Sequence, residues 1–279
     1  MVRIEAAGLL EAIFAGNSAR LERLQAWDQQ IRQPMGGVYK IGFGAIDGAV
    51  GVTTLAQNVL QTLIAQRPGP HLAVDLDTDS DRLARNFDLD APIQPSSARA
   101  QARTSEEATA DLPRGADNCF VHRPAQLENG AIRAWFEEIV PIVRFFDTVI
   151  TDFGQCDPAN GLISAIRTSD VFCLVAGAHR REAEIALSLA NGLKLVPNQP
   201  HVVIALVDRE GRGSTGARLL VERSDFPVIV IPHEHDLATA NLSLPFRLAI
   251  RQLSATLFTA PQPARRSRAR KVRLSDRGQ

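Results

Sequence analysis

From Val38 onward the chain alternates between short apolar runs and longer stretches whose apolar residues recur at the helical period. The runs are Val38–Ile46 (VYKIGFGAI), His71–Leu76 (HLAVDL), Asn118–His122, Phe146–Thr151 (FDTVIT), Val171–Ala176 (VFCLVA), His201–Val207 (HVVIALV) and Val228–Ile231. Continuous apolar runs of this length predict strands buried on both faces. Between them, helices are predicted from the small-residue turn at Gly48–Thr54 to about Gln66, briefly from Asp79, and over Gly130–Arg144, Pro158–Thr168, Arg180–Lys194, Thr215–Arg223 and Pro245–Phe258. Strands separated by helices predict βαβ units: an α/β fold with a doubly wound, mainly parallel sheet flanked by helices. Ligands of such sheets bind beyond the carboxyl ends of the strands.

Three segments fall outside this rhythm. Residues 5–32 place Leu9, Leu10, Ile13, Phe14, Leu21, Leu24 and Trp27 near the helical period, with a weak point at Gly16–Asn17. They predict one or two amphipathic helices forming an extension over 1–35, whose stripe covers the domain's own flank or a partner. Residues 90–116 are rich in Pro, Ser, Ala and charge without a period, which predicts a mobile surface insertion in a domain spanning 36–260. The tail, 261–279, is predicted to be disordered.

Charge changes the picture more than composition does. The formal net charge is +0, but the tail carries seven cations, among them Arg265, Arg266, Arg268, Arg270, Lys271 and Arg273, against one acid, Asp276. That balance of +6 leaves −6 on the remainder. An exposed basic stretch over 265–273 can meet nucleic acid, an acidic membrane surface or an acidic partner. Cys119, Cys156 and Cys173 are odd in number and lack metal-ligand spacing, so buried thiols in a reducing compartment are expected. Glu5 and Glu11 interrupt the opening segment, so no signal peptide is read there. No apolar run approaches the ~20 residues of a membrane span. A cytoplasmic protein is expected.

Candidate chemistry sits in three loops at strand ends. In Asp47-Gly48-Ala49-Val50-Gly51-Val52-Thr53-Thr54, between a strand and a helix, backbone N–H groups would point at an anion, and the glycines allow a tight path. Asp75-Leu76-Asp77 follows the second strand, and Asp152 follows another. Thr53 is a candidate Mg²⁺ ligand through its hydroxyl, and the Asp152 carboxylate can hold the ion through water. Asp75 reads equally well as a cap on backbone donors. His233-Glu234-His235 has two histidines at i and i+2 and no evident third ligand, which favours a surface loop over a metal site.

Loop, DLD and strand-Asp, in that order, resemble the MinD/ParA branch of P-loop ATPases, whose loop reads K-G-G-x-G-K-T-T. Ile31–Met35 with Tyr39–Ile41, and FDTVITDFG followed by Ala159–Ser164, are similar to actinobacterial MinD-like ATPases associated with type VII secretion. Phe226–His233 resembles the family's last strand and base-lining loop, and the likeness covers about residues 31–258. The resemblance implies a P-loop NTPase fold, ATP with Mg²⁺ as cofactors, the 47–54 loop and His233 as nucleotide contacts, Asp77 as the residue positioning the attacking water, and a nucleotide-bridged homodimer.

The departures are chemical. Val52 stands where the resemblance places the phosphate-gripping lysine, Asp47 where it places the lysine that reaches across the dimer, and Ala49 at the second glycine. A charge pair near 4 Å is worth up to ~4 kcal/mol at an effective dielectric near 20. Micromolar ATP binding totals only about −8 kcal/mol. Two lost cations and one gained acid therefore predict a pseudo-ATPase that acts as a scaffold, with an active MinD-like homologue or secretion machinery as its partner. The alternatives are an active, atypical ATPase with an arginine (Arg82, Arg180 or Arg181) supplying the charge, and a nucleic-acid- or membrane-associated positioning protein that uses its tail.

Overall fold

The computed structural model describes residues 5–87, 92–115, 118–125, 127, 130–158, 161–195, 200–212, 217, 224–235 and 242–259. The predicted helix at 215–223, apart from Ala217, and the tail from 260 onward lie outside the described residues.

Helix α1 (Glu5–Ile31) leads into strand β1 (Tyr39–Ala45), helix α2 (Val52–Gln66) and strand β2 (His71–Asp75). Three short helices follow, α3 (Arg82–Arg85), α4 (Ser97–Ala100) and α5 (Ser105–Thr109), and then β3 (Cys119–His122). Helix α6 (Ala131–Ala134) runs on as a π-helical turn over Trp135–Ile139. The rest alternates: β4 (Thr148–Gln155), α7 (Gly161–Arg167), β5 (Val171–Gly177), α8 (Arg180–Leu193), β6 (His201–Val207), β7 (Val228–Ile231) and α9 (Leu244–Thr259).

All seven strands pair in parallel in the order β3-β2-β4-β1-β5-β6-β7, so the predicted α/β sheet is present. Strand alternation sends successive residues to opposite faces. Ile41, Phe43 and Ala45 of β1 join Leu55, Val59 and Leu63 of α2 and Ile250 and Leu253 of α9 in one core. Leu174, Ile204 and Leu206 join Leu162 and Ile166 of α7 and the Ala183, Ala186 and Ala190 stripe of α8 in the other. Gly42 and Gly44 exist to admit Phe172, since a Cβ at either would meet its ring at 2.7 or 2.9 Å.

Two of the segments outside the βα alternation contain helices. The N-terminal extension is one helix, continuous through Gly16–Asn17. Its last turns pack on the domain's own flank: Ile31 is fully buried, and Arg251 of α9 grips Asp28 with two hydrogen bonds of 2.5 Å. The 92–115 segment, read as aperiodic, carries α4 and α5. Ser96 caps the first, and a Thr104/Glu107 capping box starts the second. Arg99, 2% exposed, anchors this segment through Asp111 at 2.5 Å and the Gln94 carbonyl at 2.9 Å. Its short capped turns leave too few residues for a hydrophobic period to show.

Candidate functional site: a carboxylate-lined cavity over the β1–α2 loop

The loop after β1 begins at the sheet's centre, between β4 and β5, where strand order reverses. Gly51 takes a left-handed φ of 95° as the residue preceding α2. Ala49 also has positive φ, 57°, at the position where the resemblance places a glycine. A non-glycine residue there costs roughly 1–2 kcal/mol. The loop holds this path because its side chains are anchored: Val50 and Val52 belong to the hydrophobic core, at 1% and 7% exposure. Across the loop, the Gln155 amide donates to the Ile46 carbonyl at 2.8 Å.

Asp152 is not after β4 but inside it. The β1–β4 register shifts between Phe43 and Ala45, so that Phe43 faces Asp152 and Ala45 faces Gln155. Gly154, with φ 58°, makes this bulge possible, and a Cβ there would strike the Asp77 carboxylate. The bulge gathers Asp152, Gly154 and Gln155 around the loop, which is why an Asp within a strand reaches the site.

Asp152 is completely buried. Its Oδ1 accepts from the Gly154 N–H at 2.9 Å, and the Thr53 hydroxyl lies beside the carboxylate. Oδ2 has no hydrogen-bond partner among the described residues. Burial pushes its pKa up to about 7, with Thr53 and Gly154 opposing and the charges of Asp75 and Asp77 adding. Asp75 uses both oxygens: Oδ2 accepts from Ala84 N–H at 2.9 Å, and Oδ1 from Asp77 N–H at 3.2 Å while pairing with Arg123 at 3.0 Å. Burial raises it to about 6, against the pull of Ala84 and Arg123. Asp77 is raised chiefly by burial too, and its Oδ1 accepts from Asp79 N–H at 3.0 Å.

Above these groups lies a cavity of about 490 Å³. The whole 47–54 loop, Asp77 and His233 line it together, so the structure brings the sequence-predicted residues to one place. Asp152 stands behind Thr53. Of the three candidate replacement arginines, Arg82 is on the wall; Arg180 and Arg181 are not, and Arg180 pairs with Glu184 at 2.7 Å. Sequence reasoning missed Asp208 and Arg209, which follow β6 and reach the rim because β6 neighbours β5, next to β1. Their place just past an apolar strand was the available signal. His233 and His235 stack edge to face at 4.5 Å, and among the described residues no group of three metal-ligating side chains occurs.

Measured against a nucleotide and its metal, the donor set divides. A hydroxyl and a buried carboxylate with an unused oxygen fit a hard divalent cation. Toward a triphosphate, the loop itself offers no cationic side chain, its apolar positions are sunk in the core, exposed Asp47 lies on the rim, and Arg82 and Arg209 are the arginines on the wall among the described residues.

No protein-family model matches the sequence, and no curated protein matches it. Solved structures do. A ParA family ATPase from Chlorobium tepidum superposes with a TM-score of 0.60 at 16% identity, over 79% of this chain and 98% of that one. MinD from Pyrococcus horikoshii, complexed with Mg-ADP, gives 0.59 at 17% over 78% and 94%. A chain of the MinC:MinD cell division complex of Aquifex aeolicus gives 0.56 at 17% over 83% and 99%. The chain therefore has the fold of the MinD/ParA P-loop ATPases.

Proposed function

We propose that this protein is a degenerate MinD/ParA-like pseudo-ATPase, a P-loop scaffold that acts by binding other proteins rather than by turning over ATP. The observation that carries the reading is Val52, packed into the core where an intact loop would present a lysine, with Asp47 on the rim beside it. Without those cations the γ-phosphate lacks its main stabiliser in the ground state and the transition state alike. Thr53 and Asp152 would hold Mg²⁺, and Asp77 occupies the water-positioning place. The neighbour complexed with MinC supports a protein partner for the fold, and the sequence likeness points to a MinD-like homologue or a type VII secretion component. Calorimetry with Mg-ATP tests the reading: no heat at 100 µM nucleotide (about a hundredfold above a micromolar Kd) is expected. Micromolar binding sinks it.

A second reading is favoured by Arg82 on the cavity wall: an active, atypical ATPase whose charge comes from α3. Phosphate release above that of an Asp152→Ala control, lost in Arg82→Ala, would establish it.

A further inference from the structure

The charge of the cavity is inverted for an anion. Asp47, Asp77, Asp79, Asp208 and Glu234 line it. Arg82 and Arg209 are the cations on that wall among the described residues; Arg209 is engaged by Glu182 at 2.9 Å, and Arg82 faces the Asp77 charge. Beneath Thr53, fully buried Asp152 keeps one oxygen without a hydrogen-bond partner. A cleft lined by one sign of charge concentrates the opposite one. The chain itself carries that opposite charge: −6 before Pro261 and +6 from it onward.

Reach permits the two to meet. The wall includes Phe246, in the first turn of α9, whose 16 residues span about 24 Å, so residue 260 starts about that far from the cavity. An extended chain covers roughly 3.3 Å per residue. Arg265 thus reaches about 20 Å beyond Thr259 and Arg273 about 46 Å, which brackets the distance back. From this acidic lining and the basic tail, we infer that the basic segment Arg265–Arg273 of the same chain docks in the carboxylate-lined cavity over the β1–α2 loop. The tail then occupies the site that the fold shapes for a nucleotide.

Lysine placement makes this testable in the full-length protein. The chain has three lysines, Lys40, Lys194 and Lys271. Lys40 pairs with Asp170 at 3.1 Å and Lys194 with Asp225 at 3.0 Å, both away from the cavity, so they serve as internal controls for zero-length carbodiimide cross-linking. Mass spectrometry of the monomer band is expected to join Lys271 to Asp47, Asp79, Asp208 or Glu234. The yield should fall at least about fivefold when screening shortens to ~3 Å in 1 M salt, and likewise in the Asp79→Asn/Asp208→Asn double variant, with its circular dichroism unchanged. A Lys40–Asp170 link without any cavity link from Lys271 overturns the inference. So does a Lys271 link found only in cross-linked dimers, or one abolished by equimolar duplex DNA or phosphatidylserine vesicles. Mg-ATP titration of an Arg266→Gln/Arg268→Gln/Arg270→Gln variant separates this inference from the pseudo-ATPase reading. Nucleotide binding by that variant alone upholds the docked tail and defeats the reading. A missing link with no nucleotide binding in either protein does the reverse.

Discussion

The two walls of the cavity are held by different forces. The β1–α2 loop follows a tight backbone path, including left-handed Ala49 and Gly51, and its apolar side chains are core: Val50 and Val52 are buried. The β2–β4 shelf keeps its ionisable groups, with Asp75, Asp77 and Asp152 all buried and all shifted upward. Hydrophobic packing now holds one wall in shape. The other retains carboxylates whose charged forms work against the folded state. Shape and charge in such a loop are therefore set separately, because the packing that fixes the first does not determine the second.

The largest expected effect comes from the costly shelf. Burial lifts Asp152 from an ordinary 3.8 to about 7, so the folded chain binds this proton more tightly than the unfolded chain. Its contribution is full below about pH 4 and lost as pH rises through 7. Denaturant unfolding of Asp152→Asn at pH 8 should show a gain of up to about 4 kcal/mol, vanishing near pH 4. An equal loss at both pH values would mean that the carboxylate is structurally required.

Next comes the loop wall. Asp47→Lys/Val52→Lys returns both cations, and Mg-ATP affinity measured by calorimetry should rise at least 100-fold, about 3 kcal/mol. If affinity stays flat while the fold is retained, the loop's path, not its charge, is at fault. Behind that wall, Gly42→Ala forces Phe172 and Ser169 to move and should lower stability by about 2 kcal/mol in thermal unfolding. The smallest change is Ala49→Gly. It relieves a left-handed alanine and should stabilise by roughly 0.5–1 kcal/mol after the glycine's own entropy cost.

The sheet was legible because each strand is an unbroken apolar run, and Val38–Ile46 or His201–Val207 can bury themselves in few other ways. The loop was legible as a small-residue turn between a strand and a helix, and Asp77 as a residue just past the second strand. Three features were not. Asp152 was read as a site residue, but its place inside the strand, at the Gly154 bulge, was not. Arg209 reaches the rim through strand order, which no local pattern encodes. Arg99 meets Glu138 at 3.8 Å and lies in one polar cluster with His122, 3.4 Å from the same carboxylate and held at a pKa of about 3 by burial. Those partners come from separate elements, and a sequence lists them as unrelated charges.

The clasp between Asp28 and Arg251 joins residues 223 positions apart, and the Tyr39 hydroxyl donates to the Leu257 carbonyl across 218. The central strand, β1, also waits for β4 and β5 before either edge is paired. During synthesis the first strand therefore stays unpaired until β4 and β5 have emerged, and α1 lacks its clasp until α9 has. A topology built on such long-range contacts folds slowly and leaves apolar strand edges exposed meanwhile.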